Sequence, residues 1–574
     1  MKKITRRTAL TTGIAATAAS CATQPTLTAH RADLSAGEGS FAHGVASGDP
    51  AHDSVVLWTR VSPNSAARAI SVSWEIASDE NFSQDLRSGE VTTTASRDWT
   101  VKVVPQNLAP GSGYFYRFRA GDSFSPIGRT RTLPADTTER ARFAVISCSN
   151  YPFGYFNVYD LIARQDDIDA VVHLGDYIYE YGPDGYGGAS GEKLGRVHTP
   201  AREIVSLADY RERHAQYKSD PSARAMHAAH PLIAIWDDHE TTNDSWKEGA
   251  QNHQEDSEGA WNERRRAALQ AYYEWMPVRD PKPGQPAEAL FRAYRYGDLL
   301  TITAIETRLM ARSQQFEYSE IVPTLQSEED IEKFRNETLW NQSREMLGAA
   351  QLDFIGREIK DSVDREQPWQ LIANQIIMAE IISPDLTPHV TEEDMVELEQ
   401  QWDQARSFVQ FSTLGLPTNL DAWDGYPAAR ERFYDRARDA GTDGLVVLTG
   451  DTHTWWANDL KARDGSQMGV ELGVNSVTSP SPYDRSFLGG KGAEYALLTN
   501  QKNKSVRYLS GDDHGFILLD VGRKKINAEF MAVDTIETPT YNAFKKAGFT
   551  ITKGKNGTKF GGTSGLGFKE RFLF

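Results

Sequence analysis

Apolar residues in this chain come mostly in short unbroken runs, and four of the runs stop abruptly at residues that bind metals. They are FAVISCSN at 143–150, VVHLGDYIYEYG at 171–182, LIAIWDDHETTND at 232–244 and LVVLTGDTHTWW at 445–456. An apolar run of this length without alternation predicts a strand covered on both faces. The polar ends carry Cys148, Asp176, Asp237-Asp238-His239 and Asp451-x-His453. An unpaired carboxylate at a buried strand end is costly. Four such ends make sense together if they converge on cations.

From residue 141 the strand pattern alternates with helical spacing. Strands are predicted at 143–147, 170–174, 232–236, 299–305, 369–372 and 445–448, and helices at 157–165, 259–275 and 347–360. That order implies a layered α/β (α+β) catalytic domain over 140–525, with ligands gathered beyond the strand ends. Residues 36–135 read differently. Val72, Trp74 and Ile76 alternate with polar residues, and Leu108-Ala109-Pro110-Gly111 precedes Tyr114-Phe115-Tyr116. This predicts an N-terminal all-β, fibronectin-like sandwich whose turn-then-Tyr corner frames the catalytic domain. Residues 526–574 are expected to form a C-terminal strand and a Gly- and Lys-rich tail, a candidate lid.

Composition narrows the class. The 574 residues are 25% charged and 39% hydrophobic, an ordinary globular balance. A net charge of −17 argues against a nucleic-acid surface, and no apolar run is long enough to span a bilayer. The first 20 residues, MKKITRRTALTTGIAATAAS, pair Arg6 with Arg7 ahead of a mildly apolar stretch. Residues 1–30 are therefore read as a twin-arginine signal peptide, with the export machinery as partner and a periplasmic or extracellular destination. Lipidation at Cys21 is not favoured, because the usual Leu three residues earlier is absent. That leaves Cys148 as the one thiol without a partner, which is either a buried core residue or a thiolate ligand.

The chemistry-bearing strings differ in weight. Gly175-Asp176 alone reads better as a turn or a helix N-cap. Asp237-Asp238-His239-Glu240 does not, since adjacent acids repel unless a cation intervenes; Asn243 and Asp244 add oxygen donors. Asp451 and His453, two apart on an extended segment, point the same way. No Gly-x-Ser-x-Gly elbow is present, so covalent catalysis is the weaker reading.

Taken together these strings resemble the PhoD-type alkaline phosphatases, relatives of the calcineurin-like metallophosphoesterases. FAHGVASGDP at 41–50, SVVLWTRV at 54–61, LADYRERHAQYKSDP at 207–221 and WDGYPAAR at 423–430 extend the likeness from 41 to 521. The resemblance implies a four-layer metallophosphoesterase-like sandwich and an Fe3+ ion with Ca2+ ions, taken as two. It implies Cys148, Tyr210 and Asp176 as iron ligands, the last one bridging. Asp238, Asn243, Asp451 and His453 would be the remaining metal ligands. His239 would protonate the leaving group or contact phosphate, and Arg264 would contact phosphate. Two departures stand out: Glu306-Thr307-Arg308 where relatives carry Asp-Thr-Arg, and Asn374-Gln375 where the wider superfamily carries a His ligand.

The expected function is that of an exported, monomeric alkaline phosphatase releasing phosphate from monoesters, with diesters as a second class, through metal-activated water. The alternative is a phosphodiesterase or phospholipase D-type enzyme acting on lipid or wall-polymer phosphates. Two further alternatives are a binding protein without turnover and a zinc or manganese site in which Cys148 is core.

Overall fold

The unbroken runs become central strands because their alternate side chains serve two different cores. In Arg140–Ile146, Phe143 and Val145 enter a cluster shared with a second sheet, while Ala144 and Ile146 enter one shared with helices. In Leu445–Thr449, Val446 and Leu448 face the first sheet, and Leu445 and Val447 face the other side. The computed structural model describes residues 39–64, 68–401, 405–485, 490–555, 557–561 and 570–572. The leader read at 1–30, with Cys21, lies outside the described residues.

The first sheet has eleven strands, and its parallel centre is Arg140–Ile146, Ala170–His173, Pro231–Ala234 and Val45–Gly48. Ile146 pairs with His173, and His173 with Ala234. Three of the four metal-bearing ends therefore emerge side by side at one level. The second sheet has seven strands, with Leu300–Ala304, Trp369–Ala373, Leu445–Thr449 and Gln467–Gly473 parallel at its centre. It delivers the fourth end. The two sheets share one apolar cluster, so their strand ends meet above it. A Cβ at Gly450 would stand 2.6 Å from the Ser147 Cβ, which shows how closely the two turns approach.

Helices cover the outer faces. Asn157–Ala163, Leu207–Ser219, Pro221–Ala229 and Trp261–Trp275 pack on the first sheet. Gly348–Asp364 and Pro427–Ala440 pack on the second. All six strands and all three helices expected from the hydrophobic pattern are present.

The N-terminal strands divide between two sheets. Ile70–Ala77, Arg87–Thr93, Gly113–Ala120, Ser123–Phe124 and Gly128–Arg131 make a separate antiparallel sheet. Tyr114 turns its hydroxyl back to accept the Ala109 amide at 2.8 Å. Val45–Gly48, Val56–Arg60 and Thr100–Val103 instead extend the large sheet, and Asp49 is buried where Tyr294 donates to it at 2.8 Å. Period-two patterning cannot say which sheet a strand joins. At the other end Lys525–Val533, Ala543–Gly554, Gly557–Phe560 and Glu570–Phe572 add further strands to the large sheet. Among the described residues no helix is long and apolar enough to cross a membrane.

Candidate metal centre

Three of the four metal-bearing strands leave their sheets through an unusual turn. Cys148, Asp176, Asp451 and His453 all have positive φ, at 60°, 56°, 62° and 51°. Such backbone costs about 1–3 kcal/mol per non-glycine residue and persists only where the surroundings fix it. Here the turns are tied to one another: the Cys148 amide donates to the Gly175 carbonyl at 3.1 Å, and the Ser149 amide to the Asp176 carbonyl at 2.9 Å. Gly175 has φ 106°, and a Cβ there would lie 2.5 Å from the Asp237 amide nitrogen. The glycine before Asp176 is therefore demanded both by conformation and by contact.

The result is a chain of three donor groups. Ligand atoms of Cys148, Asp176 and His453 lie within 4.8 Å of one another, as do those of Asp176, Asp238 and His239, and those of Asp237, Asp238 and Asp451. Asp176 belongs to the first two groups and Asp238 to the last two. The Tyr179 hydroxyl joins the first group, 3.2 Å from Asp176 Oδ2 and 3.3 Å from His453 Nε2. Ser479 donates to that hydroxyl at 2.8 Å. His453 Nδ1 faces the Pro480 carbonyl at 2.9 Å, which fixes its proton there and leaves Nε2 as a lone pair. Burial lowers His453 to about 3 and keeps it neutral.

Negative charge is in excess. Burial first, then neighbouring carboxylates, hold the Asp176 and Asp451 carboxyls well above their ordinary range, and burial raises the Cys148 thiol likewise. The buried guanidinium of Arg308 offsets part of this, pairing with Asp237 at 2.5 Å, Asp421 at 2.7 Å and Asp451 at 3.3 Å. Asp176 Oδ1 and Asp237 Oδ2 are buried without a hydrogen-bond partner. Orphaned carboxylate oxygens beside a thiol and an imidazole lone pair are a donor set that fits metal cations.

The family comparisons agree with this chemistry. Residues 143–530 match the model for the PhoD-like phosphatase, and residues 26–134 match that for the PhoD-like phosphatase N-terminal domain. The chain belongs to the PhoD-like phosphatase family. It is 34% identical over 536 residues to alkaline phosphatase D of Bacillus subtilis (strain 168), covering 90% of this chain and 82% of that protein. A solved structure of PhoD superposes with a TM-score of 0.74 at 30% identity, over 93% of this chain and 94% of its own. This PhoD-like phosphatase is thus a phosphoric ester hydrolase.

Of the residues named from sequence, Cys148, Asp176, Asp238, His239, Asp451 and His453 come together in the three groups. Asn243 borders them, its amide group donating to Gln251 at 3.0 Å. Tyr210 and Arg264 are engaged elsewhere. The Tyr210 hydroxyl donates to the Thr241 carbonyl and receives Arg264 Nε at 3.1 Å. The other N–H groups of Arg264 go to the Asn252 and Ile204 carbonyls, Glu258 and Glu203, leaving none free for a phosphate.

Three contributors were missed. Tyr179 stands three residues after Asp176, within a string already singled out. Arg308 sits in the Glu306-Thr307-Arg308 departure, held there by the buried Glu306 carboxylate, which accepts the backbone amides of residues 308, 309 and 310. Glu180 takes His239 Nδ1 at 2.7 Å and also accepts from Thr242, the Asn243 amide and Asn252. That clamp turns His239 Nε2 toward the donor groups. Glu180→Gln is expected to lower kcat about 10–100-fold with metal content unchanged. Steady-state kinetics with parallel elemental analysis checks this, and metal loss equal to the activity loss would count against a positioning role.

Proposed function

We propose that this protein is an exported alkaline phosphatase that hydrolyses phosphate monoesters, and diesters as a second class, at a site holding Fe3+ and two Ca2+ ions. The observation that carries the reading is the sharing of Asp176 and Asp238 among three adjacent donor groups. Cys148, Asp176, His453 and the Tyr179 phenol would hold the ferric ion, since anionic sulfur and oxygen donors suit a highly charged cation. Asp237, Asp238, Asp451, Asn243 and Asp244 would supply the oxygen-rich calcium positions. When bound, such ions neutralise the phosphate oxygens and make a water nucleophilic near neutral or alkaline pH. His239, held through Nδ1 by Glu180, presents Nε2 as the atom that passes a proton to the leaving oxygen. The 1–6% exposure of Cys148, Asp176, Asp238 and His239 limits competing water.

Two apolar sheets stacked on a shared cluster, with a helical cluster on each outer side, support a four-layer metallophosphoesterase-like sandwich. The Tyr114 corner supports a fibronectin-like N-terminal domain. Export by the twin-arginine route to the periplasm or beyond rests on Arg6-Arg7.

The metal assignment is tested on protein as purified. A ferric phenolate or thiolate gives a visible charge-transfer band. Tyr179→Phe is expected to remove or shift that band and Tyr210→Phe to leave it in place; the opposite pattern would return the phenolate to Tyr210. Chelating calcium is expected to stop release of nitrophenol from nitrophenyl phosphate. Strong preference for the bis-nitrophenyl ester would favour the diesterase alternative.

A further inference from the structure

Most of the donor residues are sealed from solvent, and the partly exposed residues at their margin include Asp451, Thr452, His453, Asn243, Asp244 and Tyr181. Beside this opening stands a row of aromatic rings, of which hydrolysis as described uses only Tyr179. Tyr179 lies 4.1 Å from the His239 ring, Tyr181 lies 5.7 Å from it, and Tyr186 lies 6.4 Å from Tyr179 and 5.8 Å from Tyr181. Phe153 closes the row, 4.8 Å from Tyr186 and nearly edge-on to it. Tyr186 is 36% exposed. Burial, then Cys148 and Asp176, raise its phenol above the ordinary value.

The row is rigidly mounted. Arg213 donates to the Tyr179 carbonyl, the Ile204 amide to the Glu180 carbonyl at 3.0 Å, and His198 to the Tyr181 carbonyl at 2.8 Å. Gly187 has φ 91°, and a Cβ there would lie 3.0 Å from the Phe153 ring, so the turn beyond Tyr186 closes onto that ring. A large, partly exposed phenol ring held edge-on by two neighbours has its remaining face fixed before any ligand arrives.

We propose that Phe153, Tyr181 and Tyr186 form a stacking ledge for the alcohol portion of the substrate. It selects phosphate esters whose alcohol carries a planar aromatic ring. The inference rests on the phosphatase reading above. With the phosphoryl group held at the donor groups and His239 at the leaving oxygen, the alcohol has to exit past His239; the rings that flank His239 are Tyr179 and Tyr181, and Tyr186 continues the row outward from both. A flat π system can lie on the ledge, and a saturated chain gains only ordinary contact.

The test compares kcat/KM for benzyl phosphate and cyclohexylmethyl phosphate on the metal-loaded enzyme. These esters have similar leaving alcohols and differ in the flat ring. A second pair, adenosine 5′-phosphate and ribose 5-phosphate, moves the ring outward and separates a nucleoside source from a simple aryl one. The aromatic member of at least one pair is expected to be preferred about 3–10-fold. Tyr186→Phe is expected to keep that ratio, and Tyr186→Leu, which keeps apolar bulk without a π face, to bring it to about one. Ratios near one for both pairs in the unmodified enzyme, or a ratio unmoved by Tyr186→Leu, would overturn the ledge alone. No phosphate release from any of the four esters would overturn the phosphatase reading and the ledge with it.

Discussion

Asp176→Asn is expected to lower kcat/KM for phosphate-ester hydrolysis by about a thousandfold or more, while making the metal-free protein more stable. The two effects have one origin. Asp176 is the carboxylate common to the Cys148–His453 and Asp238–His239 groups, so the substitution removes an anionic donor from two positions at once. For scale, removing a single oxyanion-hole hydrogen-bond donor costs about 2.7–4 kcal/mol, and here one carboxylate serves two cation positions. Without metal the same carboxyl is a liability. It is 1% exposed, its Oδ1 has no partner, and burial holds its proton on. An amide of the same shape is neutral without a proton, so it avoids the cost of keeping one bound above the ordinary carboxylate range. Kinetics with elemental analysis, together with melting in chelator, measure both arms. Activity within tenfold of the unmodified enzyme at full metal content would remove Asp176 from the shared position.

The second large effect concerns pH. Between about pH 4 and 7 the melting temperature of the chelated protein is expected to drop progressively further below that of the metal-loaded protein. Asp237 is raised to about 6 and Glu240 to about 7, both chiefly by burial, and Asp244 and Asp451 are shifted in the same direction. A folded-state value above the unfolded one means the native state binds more protons. Its stabilising contribution is complete below the ordinary carboxylate range near pH 4 and is lost as pH climbs through the folded values, roughly between pH 4 and 7. Each retained proton costs about 1.4 kcal/mol per pH unit across that window. Asp238 runs the other way: burial opposes its charge, but Arg308 and His239 lower it to about 2, so its contribution fades only below pH 4. Bound cations take the place of the protons and reverse the slope. A gap between metal-loaded and chelated protein that does not widen from pH 5 to pH 7 would contradict the crowding of buried acids described above.

Much of this was legible in the sequence, for physical reasons that also set its limits. A strand buried on both faces leaves an unbroken apolar run, and a functional residue just beyond it breaks the run sharply. Cys148, Asp176, Asp238 and His453 could therefore be found without a structure. The phenol was not so accessible. Tyr177, Tyr179 and Tyr181 lie in one extended segment, and which of them reaches the donor groups depends on the left-handed turn at Asp176. That turn sends Tyr177 to His227 at 3.0 Å in the core and Tyr179 to Asp176 and His453. Nothing in the composition of Leu207–Ser219 distinguishes Tyr210 as a residue that a helix buries against Arg264. Arg308 was hidden for a different reason. A single arginine after a strand reads as a surface residue until its four carboxylate neighbours are brought in from three other loops.

The strand that carries Cys148 has one further consequence. Arg140–Ile146 is hydrogen-bonded on one side to Ala170–His173 and on the other to His514–Gly522, with Arg140 and Asp520 paired across 380 positions of sequence. A nascent chain that has just exposed His453 already owns every donor of the three groups, yet it lacks the strand that braces the Cys148 end. Closure across so long a loop comes late in folding, and synthesis needs several more seconds to deliver it. Metal capture is therefore coupled to completion of the polypeptide: a prematurely terminated product would hold the acids without the frame, and only a finished molecule would leave the ribosome able to retain its ions.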